Sequence, residues 1–234
     1  MQIVGLQKMT LLDFPGKVAC TVFLNGCNFR CPYCHNAELL EGRIEPLMSR
    51  EEFLAFLKKR RGLLDGVCVS GGEPTLSAGL KELMREIKAM GFSVKLDTNG
   101  SRPALLKELV SEGLLDYVAM DIKNAPGKYA LTCGLSAMDL ASIEESIRFL
   151  LKGNVAFEFR TTVVREFHTP QDIENMGRWL TELSGGKPIP KLFLQPFTDR
   201  DTVVFSGLHA PETQQMSEFT ELLKDFILDI HVRG

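Results

Sequence analysis

Three of the six cysteines fall within eight residues, Cys27-Asn28-Phe29-Arg30-Cys31-Pro32-Tyr33-Cys34, and this is where the sequence concentrates its chemistry. Thiolates are soft ligands, and a loop that offers three of them selects zinc or an iron–sulfur cluster. A closed structural zinc site needs four ligands. The nearby fourth candidate is His35, whose adjacency to Cys34 makes convergence on one tetrahedral ion awkward, and no second cysteine pair follows at zinc-finger distance. A [4Fe-4S] cluster ordinarily takes four cysteines, so three leave one iron open to a further ligand. Cys20 and Cys68 lie in strand-like runs and read as small buried hydrophobes. Cys133, beside Gly134 in an expected loop, has room to be exposed and is given no ligand role.

Three further polar segments fall directly after expected strands: Gly71-Gly72-Glu73-Pro74, Thr98-Asn99-Gly100 and Asp121-Ile122-Lys123. The strands that position them are β-rich runs at Ala19 to Asn25, Gly66 to Ser70, Ser93 to Asp97, Tyr117 to Met120, Val155 to Val164 and Lys191 to Phe197. Amphipathic helical patterns alternate with these runs, which is the sequence form of repeated βα units. Ser49 and Glu52 make a capping box before Phe53, Phe56 and Leu57, and Pro103 and Pro170 suit first turns. Gly91, Gly113 and Gly153 suit helix stops, and Leu80, Leu83, Met84 and Ile87 form a core-facing stripe.

The fold class is therefore α/β, a partial (β/α)6 TIM-like barrel of parallel strands. In a parallel barrel the strand-following segments gather at the C-terminal face, where active sites are built. One domain is expected over residues 1–234: an N-terminal preamble (1–18), a partial-barrel core (19–200), and a C-terminal helix with a short extension (201–234).

The chain has 234 residues, 44% hydrophobic and 24% charged, enough for one sizeable core. Its formal charge of -3 comes with no basic run longer than Lys58 to Arg61, so nothing points to a polyanion-binding face and nucleic acid is not an expected partner. No apolar stretch approaches the roughly 20 residues that span a bilayer, and Met1 to Met9 lacks the regions of a signal peptide. A cytoplasmic location and no membrane partner are expected, and a reducing compartment favours metal binding over disulfides for the cysteine cluster.

The C-x3-C-x2-C spacing, Tyr33 before the last cysteine, and Gly-Gly-Glu-Pro one βα unit later resemble the radical S-adenosylmethionine (SAM) superfamily. The resemblance implies a [4Fe-4S] cluster on Cys27, Cys31 and Cys34, with SAM on the open iron. It further implies a SAM pocket formed by Tyr33, by backbone groups of Gly71, Gly72 and Glu73 with Pro74 fixing the turn, and by Asp97, Asn99, Lys123 and Arg160. Lys123 and Arg160 would meet the SAM carboxylate. The bland alternative is a local Asp121–Lys123 ion pair with Arg160 as a barrel cap. Gln195 stands where a relative has histidine, leaving its ribose or adenine contact open against simple packing. The implied chemistry is reductive cleavage of SAM to a 5'-deoxyadenosyl radical, with an electron from a flavodoxin or ferredoxin type donor.

The opening Gly5 to Lys17, with Asp13-Phe14-Pro15-Gly16, followed by Cys-Pro-Tyr-Cys-His-Asn, resembles the activating enzymes of glycyl radical proteins, nearest to those that serve anaerobic ribonucleotide reductase and more distantly the pyruvate formate-lyase activases. The implied partner is a glycyl radical protein, and Asp13 is read as substrate-facing against its ordinary reading as a turn former. Two alternatives stay open: a small-molecule enzyme of the purine-analogue type, and a non-catalytic iron–sulfur or zinc binding protein. His168, His209 and His231 are given no chemistry. Ile227 to Gly234 reads as a short strand without a placed partner.

Overall fold

The structure, a computed structural model, describes residues 1–41, 44–203 and 205–233. Their contacts form two compact units. One comprises Met1–Asn28, Glu38–Ala119 and Asn154–Ala156, and the other Phe29–Ala37, Met120–Gly153 and the chain from Phe157 onward.

The first unit holds β1 (Ile3–Thr10), β2 (Ala19–Leu24), α1 (Arg50–Lys58), β3 (Gly66–Gly71), α2 (Leu80–Ala89), β4 (Ser93–Thr98), α3 (Pro103–Ser111) and the start of β5 (Tyr117–Asp121). Strand order is β1-β2-β3-β4-β5, with β1 antiparallel to β2 and β2, β3 and β4 mutually parallel. Side chains alternate across the pleat. Cys20, Val22, Leu24, Val67, Val69, Val94 and Leu96 are all fully buried and make one apolar face. The opposite face carries Thr21 and Phe23, Cys68 and Ser70, Lys95 and Asp97, matched by parallel register. α2 buries Leu80, Leu83, Met84 and Ile87, as the helical spacing predicts.

The second unit holds the end of β5, α4 (Pro126–Thr132), α5 (Ala141–Leu151), β6 (Ala156–Val163), α6 (Pro170–Leu183), β7 (Ile189–Pro196), α7 (Thr213–Leu223) and β8 (Ile227–Val232). Its order is β5-β6-β7-β8, with β6, β7 and β8 parallel. Within each unit strand order follows chain order, the α/β arrangement of successive βα units that the sequence pattern leads one to expect. Helix signals hold in detail. Ser49 with Glu52 and Thr169 with Asp172 form reciprocal capping boxes, Pro103 and Pro170 open α3 and α6, and Gly91, Gly113 and Gly153 take positive φ just past helix ends.

Three readings change. The N-terminal preamble contains a full strand, β1, whose exposed Gln7, Lys8 and Met9 break the alternation that marks a strand in sequence. The C-terminal segment pairs in parallel with β7, from Ile189 beside Ile227 to Leu194 beside Val232; Gly234 lies outside the described residues. Cys133 is not an exposed loop residue: it is the C-cap of α4 and completely buried.

Among the described residues no helix is long and apolar enough to cross a membrane.

Candidate active site

In the first unit, β2 ends at Leu24 and the chain turns through Gly26 to Cys27. The segment after β3 runs against that turn: Gly72 N donates to Leu24 O (3.0 Å) and Glu73 N to Gly26 O (2.8 Å). This approach admits no side chain. A Cβ on Gly71, which sits at φ +125°, would lie 2.2 Å from Leu24 O, and one on Gly72 would lie 2.1 Å from Gly26 O. The two glycines therefore brace the backbone that presents Cys27.

Glu73 turns inward. Its carboxylate is buried and accepts from Thr75 N (3.1 Å), Thr75 Oγ1 (2.5 Å), Thr98 Oγ1 (2.8 Å) and Asn99 N (2.6 Å). Burial pushes its carboxyl pKa up, while the donors from Asn99, Thr75 and Thr98 pull it back. Pro74 opens the one-turn helix that Glu73 caps. The β3 and β4 ends are thereby fastened to each other.

Asn99 continues the fastening. Its Nδ2 donates to Asn28 Oδ1 (2.9 Å), its Oδ1 accepts from Ser101 N (3.0 Å), and Asn28 Nδ2 donates to Ser101 Oγ (2.9 Å). Asp97 accepts from Ser70 Oγ (3.0 Å) and pairs with Lys95, whose ammonium is 1% exposed and also reaches Cys68 Sγ (3.8 Å). Asn28, Ser101, Ser70 and Lys95 were not read as site residues. Lys95 had a signal, since a lysine two positions from Asp97 in a strand must share its face.

Asp13 stands apart from this group. It lies in the β1–β2 turn, where its carboxylate accepts from Thr21 Oγ1 (2.5 Å). Thr21 is three residues upstream of Leu24, about 10 Å along β2 from the cysteine loop.

In the second unit, Cys31 is 8% exposed, and its thiol is lowered to about 7, chiefly by a hydrogen bond from Cys133. Burial pushes the Cys34 thiol up. Tyr33 packs on Phe167 with ring centroids 6.0 Å apart, and its buried hydroxyl has no hydrogen-bond partner among the described residues. His35 is not poised as a ligand: its Nε2 contacts Thr198 O (2.7 Å) and its ring stacks on Phe197.

Asp121, at the end of β5, gathers two cations. Its Oδ1 accepts from Arg160 Nε (3.0 Å) and lies 3.0 Å from Arg160 Nη2, while Oδ2 accepts from Lys123 Nζ (3.0 Å). Burial pulls the Lys123 pKa down, but the neighbouring Asp121, Tyr33 and Cys31 together raise it well above the usual lysine value, so Lys123 is a cation. The Asp121–Lys123 pair of the alternative reading is present, and Arg160 joins it rather than standing alone. These three side chains carry a positive excess, suited to a carboxylate. Gln195 sits beside Thr162 on the strand face that carries Arg160.

His168, given no chemistry in the sequence, is fully buried and fixes the Lys123 backbone: Nε2 contacts Lys123 O (3.0 Å), and Nδ1 accepts from Val164 N (3.1 Å). Burial lowers its pKa. Asn124 reinforces the tie by donating to Phe167 O (2.9 Å).

Residues 21–180 match the model of the radical SAM superfamily. The chain belongs to that superfamily. Full-length similarity extends to a Methanocaldococcus jannaschii protein assigned as a glycyl-radical enzyme activating enzyme, 32% identical over 98% of this chain and 94% of that one. A 7-carboxy-7-deazaguanine synthase of Thermococcus kodakarensis is 27% identical over 73% of this chain and 71% of its own length. Among solved structures, a domain of pyruvate-formate lyase-activating enzyme from Bacteroides vulgatus matches with a TM-score of 0.56 at 19% identity, covering 72% of this chain and 99% of that one, a likeness of fold.

Radical SAM enzymes use a [4Fe-4S] cluster and SAM, and these are the cofactors of this one. The residues present fit them. The motif loop supplies three soft thiols, the Tyr33 hydroxyl is an orphaned buried polar atom beside Cys31 and Lys123, and the Asp121–Lys123–Arg160 group has the sign needed for the SAM carboxylate.

Proposed function

We propose that this radical SAM enzyme activates a glycyl radical protein, abstracting an α-hydrogen from the backbone of one glycine. The observation that carries this reading is the full-length similarity to the M. jannaschii activating-enzyme relative, which extends beyond the family motifs to almost every residue of both chains. In this proposal Cys27, Cys31 and Cys34 hold the cluster, and Tyr33, Gly71, Gly72, Glu73, Pro74, Asp97, Asn99, Lys123, Arg160 and Gln195 form the SAM site. Bound there, the group would supply one-electron reduction of SAM, with the electron drawn from a flavodoxin or ferredoxin type donor, the chemistry that splits the sulfur–C5' bond into methionine and a hydrogen-abstracting 5'-deoxyadenosyl radical.

The protein's own residues orient and shield. Lys123 and Arg160 hold the carboxylate end of SAM through charge-assisted hydrogen bonds. The Glu73 network keeps the Gly71–Gly72 turn rigid, and because an ammonium only donates, the backbone groups of that turn that receive the methionine amino group are carbonyl oxygens, while the Gly72 and Glu73 N–H groups brace the cysteine loop. Asp97 and Asn99 act mainly by holding neighbouring loops, since the protein already engages both side chains. Asp13, bonded to Thr21, reaches substrate in this proposal only after releasing that bond.

The T. kodakarensis relative favours a second reading, an enzyme acting on a small purine-analogue precursor. The test is anaerobic reconstitution with iron and sulfide, followed by reduction with SAM. The parent should form 5'-deoxyadenosine, and Cys31→Ala should lower its yield at least a hundredfold. Added to candidate glycine-containing proteins, the parent should generate a glycyl radical doublet by electron paramagnetic resonance. Product formation with no radical on any protein, but turnover of a purine-analogue precursor, would transfer the assignment to the second reading.

A further inference from the structure

We propose that the thiol of Cys133 donates a hydrogen bond to the sulfur of Cys31 and thereby sets the reduction potential of the cluster. The proposal rests on the reading of Cys31 as a cluster ligand and adds a residue outside the three-cysteine motif. Cys133 is completely buried at the C-cap of α4, and its thiol is hydrogen-bonded to that of Cys31. The backbones meet one residue earlier: Arg30 N donates to Cys133 O at 2.8 Å. Gly134, at φ +68°, lets the approach close, because a Cβ there would fall 2.0 Å from Arg30 O.

Cys133 cannot swing away. Asn124 Nδ2 donates to Thr132 Oγ1 (3.0 Å), Thr132 Oγ1 donates to Lys128 O (2.9 Å), and Tyr129 packs edge-on against Trp179 with centroids 5.9 Å apart. The buried Tyr33 hydroxyl, without a hydrogen-bond partner among the described residues, stands beside the same pair of sulfurs and Lys123, which marks this spot as one that faces a bound polar group. Hydrogen bonds to cluster sulfurs stabilise the more negative, reduced state and so raise the potential. A buried residue needed only to fill space would not have to be a donor aimed at a ligand sulfur.

The test uses the reconstituted full chain without SAM and compares the parent with Cys133→Ala, Cys133→Val and Cys133→Ser. Iron and sulfide are counted first, and the reduced fraction is then followed by electron paramagnetic resonance in a reductive titration. The parent and all three Cys133 variants should load the same iron. At fixed potential the reduced-to-oxidised ratio should fall about tenfold in the alanine and valine variants, or about 59 mV for a one-electron couple. Serine, still a donor, should recover most of the loss. Equal iron with unchanged potential in alanine and valine would overturn the proposal and leave Cys133 as packing. Loss of iron in Cys133→Ala as complete as in Cys31→Ala would overturn it by making Cys133 a ligand. Undiminished iron in Cys31→Ala would instead remove the reading of Cys31 on which it stands.

Discussion

The carboxylate of Glu73 and the hydroxyl of Tyr33 are both buried polar groups beside motif loops, and they are treated in opposite ways. Glu73 is surrounded by four donors from Thr75, Thr98 and Asn99, whereas the Tyr33 hydroxyl meets no partner among the described residues. A buried polar group left unpaired costs about 1–3 kcal/mol. The first arrangement is finished architecture that holds two strand ends together. The second is incomplete without something else, which is what a cofactor pocket requires of its lining.

Breaking the finished side should have the largest effect. Glu73→Ala leaves the Thr98 hydroxyl, the Asn99 N–H and both Thr75 donors without their acceptor, and should lower the unfolding free energy of the cluster-free protein by about 4 kcal/mol in denaturant titrations. A loss below about 1 kcal/mol would mean that the knot is loose in solution. Gly72→Ala attacks the same side through sterics, because Gly26 O occupies the space of its Cβ; it should cost about 3 kcal/mol and also lower iron loading.

On the incomplete side the sign should reverse. Tyr33→Phe removes a hydroxyl that nothing satisfies, so the cluster-free protein should be unchanged or up to about 1 kcal/mol more stable, while affinity for SAM in the reconstituted enzyme falls about tenfold. Destabilisation of the cluster-free protein by more than about 1 kcal/mol would show that the hydroxyl has a partner after all, and the contrast with Glu73 would dissolve.

The smallest expected effect is a pH dependence. Burial holds the His168 pKa below its ordinary 6.5, so below that pH the unfolded chain binds a proton that the folded one resists. Stability from this residue is therefore fully present above about 6.5 and lost as pH falls toward the depressed folded value. His168→Gln should flatten the fall of thermal stability on the acid side of pH 6.5, a difference of about 1 kcal/mol or less.

The features that were legible in the sequence have local signatures. The Ser49 capping box, the proline and glycine helix boundaries, the buried stripe of α2 and the cysteine motif are all written in adjacent or periodically spaced residues. Features that were not legible depend on pairings between distant segments. Cys133 lies more than a hundred residues from Cys31, and nothing around Leu131-Thr132-Cys133-Gly134 shows that α4 ends against Arg30. The two bonds of His168 to Lys123 and Val164 arise only once the β5 and β6 ends are neighbours. β1 was missed for another reason: an edge strand tolerates polar and glycine residues, so its pattern resembles a loop.

That edge strand also bears on how the molecule behaves in company. β1 lies along the side of β2 that β3 does not occupy, and it is itself uneven, with register breaks between Ile3 and Gly5 and between Gln7 and Thr10, and with Lys8 exposed near its end. A foreign strand arriving there would find neither a straight hydrogen-bonding ladder nor an uncharged surface. The strand that leads into the cysteine loop is thus screened on that side from sheet-to-sheet association.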